Sequence, residues 1–173
     1  MKNIRTFSLL NEFLVFSDEY VGNHYEILLM PNEWSFEVIE AKMPGSVWNP
    51  NATYTYVAQD YEGFFDRKTY ANHVTGAYYV NRLALCEYLE SRKRQASCLV
   101  MRECRPEYYA PCGVGILREA GRQAFRNKPE TFPTIQEALK KAQERMKLNV
   151  SIFTNQSRLL DEYGKQKRLS QWV

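Results

Sequence analysis

A cluster of charged residues lies where a polar loop is predicted to lead into a helix. Its members are three carboxylates followed by two basic residues and a histidine: Asp60, Glu62, Asp66, Arg67, Lys68 and His73. Carboxylates beside a basic residue can bind Mg²⁺ and position a phosphodiester for hydrolysis. One hypothesis is therefore a metal-dependent nuclease acting on damaged or branched DNA, with Asp60, Glu62 and Asp66 as the metal ligands. Without that reaction we expect no cofactor.

Other catalytic patterns are weaker. Glu40-Ala41-Lys42 matches the (D/E)xK element of a large nuclease superfamily, but no acidic strand end accompanies it at the usual distance upstream. His24 and His73 lack the neighbouring nucleophile or second ligand that a triad or a metal site requires, so we interpret both as structural. The sequence alone leaves open whether the chain catalyses any reaction.

Arginines recur at every fourth position of a predicted helix, at Arg118, Arg122 and Arg126. This spacing places them in one row along the helix surface. Arg102 and Arg105 precede that helix in a predicted loop. Arginines arranged in this way can follow a phosphate backbone, so we predict that all five contact nucleic acid. The alternative is an ordinary solvated helix face.

The distribution of charge supports the same prediction. Residues 1–66 contain three basic and ten acidic side chains, for a net charge of −7, whereas residues 67–173 contain twenty and ten, for a net charge of +10. Such asymmetry suggests that the C-terminal half meets a polyanion. An alternative is a protein-interaction domain whose acidic first third meets the partner.

The last eight residues form the most specific pattern in the chain. A glutamine, an aliphatic residue and an aromatic–apolar pair follow one another at Gln166, Leu169, Trp172 and Val173. A turn of 3₁₀ helix would bring Leu169 and Trp172 to one side, because side chains at i and i+3 eclipse. The pattern resembles the PIP motif, the peptide by which replication and repair proteins dock on the DNA sliding clamp PCNA. The alternative is that Trp172 packs on its own domain.

Composition indicates an ordinary globular protein. The chain has 173 residues, of which 45% are hydrophobic and 25% are charged, and this length suits one domain with its own core. No stretch approaches the roughly 20 apolar residues of a membrane helix, and no secretory signal is evident, so we expect a cytoplasmic protein. The four cysteines form no CxxC pair, which favours free thiols over a zinc site.

The first part of the chain has the alternation and turn residues of β-structure. Strands are predicted at 13–16, 24–30 and 34–41, joined as a meander of consecutive antiparallel neighbours. A long loop is predicted over 44–62, with one strand at 54–57.

The later part has mainly helical periodicity, with one buried strand at 97–101. A first helix is predicted from Arg67 to Leu89, with Asp66 or Thr69 as its N-cap. A second spans 113–125, and a third begins at Thr134, where Glu137 completes a capping box. Residues 151–154 are predicted to be extended before a short last helix. Strands followed by helices indicate an α+β fold.

Several segments together resemble the C-terminal domain of the archaeal Nre family of DNA-repair proteins. The segments that carry the resemblance are Trp34–Glu37, Met43–Trp48, Asp60–Lys68, Thr75–Tyr79, Gln95–Ser97, Arg102–Tyr108 and Gly113–Glu119, together with the tail. The resemblance implies a role in DNA damage tolerance and a C-terminal clamp-binding peptide. Members of that family usually have a cysteine-rich, zinc-binding N-terminal half. Because no CxxC is present, we expect that half to be absent and carry over no zinc site.

We therefore predict a single α+β domain over residues 1–164, with N-terminal antiparallel strands and a mainly helical second half. A sliding-clamp-binding tail follows over residues 165–173. The predicted function is that of a DNA-repair accessory protein that docks on PCNA through this tail and contacts DNA through a basic helical face. The nuclease remains the alternative.

Overall fold

The computed structural model describes residues 3–109 and 113–165, in which one large sheet is covered by helices on both faces. The strands are β1 (Ser8–Leu9), β2 (Phe13–Tyr20), β3 (Asn23–Met30), β4 (Ser35–Lys42), β5 (Tyr56–Glu62), β6 (Arg94–Gln95), β7 (Ser97–Cys104) and β8 (Glu130–Phe132). The helices are a 3₁₀ turn (Ile4–Thr6), α1 (Gly76–Arg92), α2 (Gly113–Arg126), α3 (Ile135–Gln143), α4 (Ser151–Thr154) and α5 (Arg158–Lys165). This is the predicted α+β fold in a single domain.

The central sheet has the strand order β5-β4-β7-β3-β2-β8. Its neighbours are antiparallel except for β4 and β7, which run parallel. The predicted meander is confirmed for β2 and β3, which pair antiparallel, but it is wrong for β3 and β4, because β7 lies between them. The physical reason is that every residue of β7 is buried, and a strand with no solvent face is stable only in the middle of a covered sheet.

Alternate residues of the strands feed two separate cores. In β3, Ile27 and Leu29 face α1 and α2, whereas Leu28 and Met30 face α3, α4 and α5. The period of two follows from the pleat of the strand, which directs successive side chains to opposite faces. Each group of helices thus has its own apolar layer beneath it.

Helices α1 and α2 run parallel and in close contact. A Cβ atom at Gly76, the first residue of α1, would lie 2.5 Å from Val114 near the start of α2. At the other end, Tyr88 of α1 stacks on Phe125 of α2 with ring centroids 5.0 Å apart. A Cβ at Gly121 would come within 2.9 Å of the side-chain oxygen of Asn81 in α1, so the two helices are closely packed here as well. Both helices therefore begin at the same end of the sheet.

Helix α1 begins nine residues later than predicted, at Gly76 instead of Arg67. Thr75 has φ 59° and ψ −131°, which is incompatible with helix, so the helix cannot extend backwards through it. Asp66 and Thr69 are consequently not its caps. The periodicity of residues 67–75 arises instead from a loop packed along the sheet.

The remaining differences are local. Residues 151–154 form α4 instead of the predicted extended segment, and β7 continues to Cys104, so that Arg102 lies in a strand instead of a loop. Thr134 is confirmed as the N-cap of α3, because its Oγ1 accepts the backbone N–H of Glu137 at 3.3 Å, and its hydroxyl donates to the side chain of Glu137 at 3.1 Å. Among the described residues, no helix has both the length and the apolar character to cross a membrane, and the cytoplasmic location stays a prediction.

Candidate nucleic-acid interface

Asp60 organises the loop that leads into α1. Its buried carboxylate accepts the backbone N–H groups of His73 at 3.0 Å and Val74 at 2.8 Å, and the guanidinium of Arg67 lies 3.1 Å away. Arg67 also donates to the carbonyl oxygen of Tyr61 at 2.8 Å. The carboxylate therefore has a structural use, which is to hold the loop against β5.

The carboxylates of Glu62 and Asp66 also form ion pairs with arginines. Glu62 Oε1 accepts from the indole N–H of Trp34 at 3.0 Å and from Arg82 at 2.8 Å. Asp66 accepts from Arg5 at 2.8 Å and from Arg82 at 2.9 Å. Over residues 3–109 and 113–165, no three His, Cys, Asp or Glu side chains are grouped to hold a metal ion. Asp60, Glu62 and Asp66 do not fit the predicted Mg²⁺ site, because arginines and N–H groups already take up their oxygens.

Arg102 is buried inside the sheet layer and is not a surface cation. Its guanidinium donates to the carboxylate of Glu40 and to the side-chain oxygen of Asn23, and it lies 5.8 Å from the ring centroid of Tyr108. Burial by itself would lower the pKa of Arg102, but the neighbouring Glu40 outweighs this effect and raises it. Arg102 therefore cannot present its charge to a phosphate. Glu40, the first residue of the nuclease-like triplet, is its counter-ion.

Arg105 is buried as well, on the opposite face of the sheet. It donates to Glu103 at 2.8 Å, to Glu19, and to the backbone carbonyl of Arg145 at 3.0 Å. All of its directional contacts are thus made within the protein. We leave Arg102 and Arg105 out of the candidate surface, since exposing either would leave buried carboxylates unpaired.

Much of the charge asymmetry between the two parts of the chain is used inside the protein, where acidic residues of the first part pair with arginines of the second. Acidic residues of the first 66 positions form ion pairs with arginines of the remainder, in the pairs Glu19–Arg105, Glu26–Arg145, Glu40–Arg102, Asp60–Arg67, Glu62–Arg82 and Asp66–Arg82. Most of these carboxylates come from strands, and most of the arginines come from the helices and loops packed on them. The charge asymmetry by itself therefore does not indicate a surface that binds a polyanion such as DNA.

The three arginines of α2 are different, because they face solvent. The side chains of Arg118 and Arg122 are 47% and 30% exposed, and Arg126 is exposed at the helix end. Arg122 donates to Glu87 of α1 at 2.6 and 2.8 Å, and Arg118 donates to Glu119 at 3.1 Å. We call Arg118, Arg122 and Arg126 the α2 arginine row. They are the predicted nucleic-acid residues that the structure places at the surface.

Two grooves flank the α2 arginine row. One, of about 280 Å³, lies between α1 and α2 and is lined by Glu87, Arg122 and Arg126. The other, of about 560 Å³, lies between α2 and the end of β2 and is lined by Tyr20, Arg118 and Arg126. The row thus forms a ridge with a concave surface on either side.

Sequence reasoning missed Glu37, which anchors the last described helix. This fully buried carboxylate of β4 accepts the backbone N–H groups of Arg158 at 3.0 Å and Leu159 at 3.2 Å, and the hydroxyl of Ser157. It therefore caps the start of α5 from the strand next to the sheet edge. The available signal was a glutamate within the otherwise apolar run Phe36–Ile39.

The predicted clamp-binding residues Gln166, Leu169, Trp172 and Val173 lie outside the described residues. Of the cysteines, Cys98 and Cys104 are free thiols, whereas Cys112 lies outside the described part of the chain. Burial raises the pKa of Cys104 to about 11, which makes it a poor nucleophile.

Comparison with known proteins connects the whole chain to one group. The family model described as "Archaeal Nre, C-terminal" matches residues 62–172, and "Archaeal Nre, N-terminal" matches residues 1–49. The chain is 37% identical to DNA repair protein NreA of Haloferax volcanii over 83% of its length, and 36% identical to NreA of Archaeoglobus fulgidus over 84%. It is 34% identical to DNA repair protein NreB of Archaeoglobus fulgidus over 100% of its length. No solved structure gives a significant match.

These matches correct one expectation and add a structural fact. The chain covers 34%, 36% and 44% of the lengths of these three relatives, so it spans less than half of each. We expected the N-terminal half of the family to be absent. Residues 1–49 nevertheless match the N-terminal model, so part of that half is present. The region matching that model supplies β2, β3 and β4, and the region matching the C-terminal model supplies β7 and β8. The two matched regions therefore build one sheet together.

Proposed function

Because the chain belongs to the archaeal Nre family, we propose that it acts in DNA repair as an accessory protein that docks on the PCNA sliding clamp and contacts DNA. The observation that carries the repair role is that the relatives matched over 83–100% of this chain are named DNA repair proteins. Docking would use Gln166, Leu169, Trp172 and Val173. DNA contact would use the α2 arginine row. No catalysed reaction forms part of the proposal.

Clamp docking is supported by the chemistry of the tail. Leu169 and Trp172 supply two apolar side chains at the spacing of one 3₁₀ turn, and Gln166 supplies an amide beside them. The match to the C-terminal family model extends to residue 172, so it includes these three residues. Helix α5, held by Glu37, is described as far as Lys165, the residue immediately before them. The peptide would thus be presented from a fixed point on the domain.

DNA contact is supported by the position of the α2 arginine row. Arg118 and Arg126 face solvent, whereas Arg102 and Arg105 are buried in ion pairs. Exposed guanidinium groups bind phosphate oxygens and release counter-ions from DNA, which gives affinity without sequence preference. Such contacts would add to a modest affinity for the clamp, since both partners occupy the same DNA.

Calorimetric titration of the intact protein into a PCNA clamp tests the docking step. We expect binding by the intact chain and no binding by a chain ending at Lys165. Trp172→Ala should weaken binding by about 30- to 150-fold, since burial of an aromatic side chain contributes about 2–3 kcal/mol.

Ser170→Ala is the matched control, because position 170 is a free position of the motif and its substitution should leave affinity unchanged. Circular dichroism should show the same fold in all four proteins. Binding retained after truncation at Lys165, or unfolding caused by Trp172→Ala, would contradict docking through the tail.

A further inference from the structure

The larger groove beside the α2 arginine row has the size of a small-ligand site. Its volume of about 560 Å³ lies within the roughly 300–1,000 Å³ typical of such sites, whereas the α1–α2 groove of about 280 Å³ falls below that range. It is bounded on one side by the end of β2 and on the other by α2. The groove opens at the surface that the arginine row occupies.

The apolar part of the groove comes from Tyr20 on the β2 wall and from Ile116 and Ala120 on the α2 wall. Tyr20, at the end of β2, is 54% exposed, and Ile116 lies opposite on α2. An exposed tyrosine ring offers a flat face on which a nucleobase can stack, and stacking tolerates any base. The first requirement of a nucleotide site, a surface for the base, is therefore met.

The polar part of the groove offers groups that suit the edge of a base. Gln123 lines the α2 wall with a carboxamide, and Asp18 lines the β2 wall with a carboxyl group. Burial raises the pKa of Asp18 more than a hydrogen bond from Asn127 lowers it. Amide and carboxyl groups together provide both donors and acceptors for the exocyclic groups of a base.

The charged side chains that line the groove are two arginines and three carboxylates. Arg118 and Arg126 both line the groove and belong to the row that faces solvent. Among the acidic groups, Glu19 is engaged by Arg105, and Glu119 accepts from Arg118 at 3.1 Å. Arg118 and Arg126 are therefore the lining groups that can bind the phosphates on either side of an inserted base.

We propose that the groove between β2 and α2 receives one unpaired nucleotide of DNA, with its base against Tyr20 and Ile116 and its flanking phosphates on Arg118 and Arg126. The inference rests on the proposed DNA contact through the α2 arginine row and adds what that contact recognises. An unpaired base costs less to bring out of the stack than a paired one, so the site favours DNA with a bulge or a mismatch.

Fluorescence anisotropy with the full chain and two labelled probes tests the inference. One probe is a paired duplex, and the other is the same duplex with a single bulged nucleotide. We expect the bulged probe to bind roughly 5- to 150-fold more tightly, the range that one stacked base provides. Tyr20→Ala should remove this preference and leave duplex affinity unchanged.

A second variant fills the groove instead of emptying it. Gly115 lines the groove, and a Cβ atom there meets no atom within 4 Å, so Gly115→Leu can be accommodated without displacing the helix. It should also abolish the preference for the bulge. Tyr54→Ala is the matched control, because Tyr54 is a 67% exposed tyrosine outside the groove.

The outcomes separate this inference from the proposed function. Equal binding of both probes by the unmodified protein overturns the nucleotide site and leaves DNA contact intact. A bulge preference that survives both Tyr20→Ala and Gly115→Leu also overturns it. Failure to bind either probe overturns DNA contact through the row as well. Loss of preference in both groove variants, with Tyr54→Ala unaffected, supports the site.

Discussion

The arginines of the sheet and the arginines of α2 use the same side chain in opposite ways. Arg102 and Arg105 lie within the layers of the fold and are bound by carboxylates of neighbouring strands. Arg118 and Arg126 lie on a helix face open to solvent. An arginine of the first kind stabilises the fold, because it neutralises a buried carboxylate. An arginine of the second kind is available to a partner.

The two kinds of arginine differ because buried carboxylates lie beside the first kind and solvent lies beside the second. Nearly all the buried carboxylates come from strands of the first 66 residues, where they alternate with apolar side chains. Each requires a cation or several N–H groups, because an isolated buried charge is very unfavourable. Arginines of the later part of the chain pair with several of these carboxylates, and those arginines are not available to a ligand.

The largest expected effect separates the two kinds of arginine by stability. Arg102→Met leaves the carboxylate of Glu40 buried without its cation, which should lower the free energy of unfolding by about 3–5 kcal/mol. Urea denaturation followed by circular dichroism measures this loss. The matched control, Arg118→Met, should leave the midpoint unchanged.

The double variant Arg102→Met/Glu40→Leu sharpens the same test. Removing both charges together should recover much of the lost stability, because no unpaired carboxylate remains. Equal stabilities of Arg102→Met and Arg118→Met would show that the two arginines do not differ as proposed.

A smaller effect distinguishes two buried carboxylates by the sign of their pH dependence. Burial raises the pKa of Glu37, and its hydrogen bonds from Ser157, Gln59 and the start of α5 offset only part of this. The folded state therefore binds this proton more tightly, and its contribution to stability is lost as pH rises from about 4.3 through the raised pKa. The cost of Glu37→Gln should be larger at pH 4 than at pH 7.

Glu26→Gln should show the reverse dependence. Burial alone would raise the pKa of Glu26, but the hydrogen bonds of Arg145, His24 and Ser17 outweigh it and lower the pKa. Its contribution is present above the unfolded pKa of about 4.3 and is lost as pH falls through the lowered pKa. Urea titrations of both variants between pH 4 and 7 measure the two slopes. If the stability cost of both substitutions changed with pH in the same direction, the opposite pKa shifts of Glu37 and Glu26 would be refuted.

Substitutions of the exposed arginines of α2 should have the smallest effect on stability, and their effect should appear in DNA binding instead. Arg118→Ala and Arg126→Ala should each reduce the slope of log affinity against log salt for duplex DNA by about 1. The midpoint of unfolding should not change. Lys140→Ala, an exposed cation on α3, is the matched control and should leave the slope unaltered. An unchanged slope in both arginine variants would remove the row from the DNA surface.

Local pattern was sufficient to predict most of the elements. Alternation located β2, β3 and β4 to within a few residues, and helical periodicity with a capping box located α2 and α3. The start of α1 was missed because the loop before it buries Ala71 and Val74 at a spacing that continues the apolar stripe of the helix. The order of strands was also missed, since a meander is the simplest connection but β7 has two apolar faces to cover.

The site was predictable in part, for a related reason. Spacing alone placed Arg118, Arg122 and Arg126 in one row, because i, i+4 neighbours always share a helix face. Spacing could not distinguish Arg102 and Arg105 from them, since both were assigned to a loop and their counter-ions Glu40 and Glu19 lie far away in sequence. Asp60, Glu62 and Asp66 are likewise close in sequence, but their arginine partners Arg67 and Arg82 hold them in structural ion pairs, and Arg82 joins both Glu62 and Asp66.

The sequence by itself determined the fold class, the helical row and the chemical character of the tail, because these depend on residues within a few positions of one another. Only the tertiary structure decided which charges are internal. Pairs such as Glu26–Arg145 join residues more than a hundred positions apart, and no local pattern relates them. It likewise decided that Glu37 of β4 would hold α5, since a buried carboxylate and a helix N-terminus stabilise each other only once the sheet has brought them together.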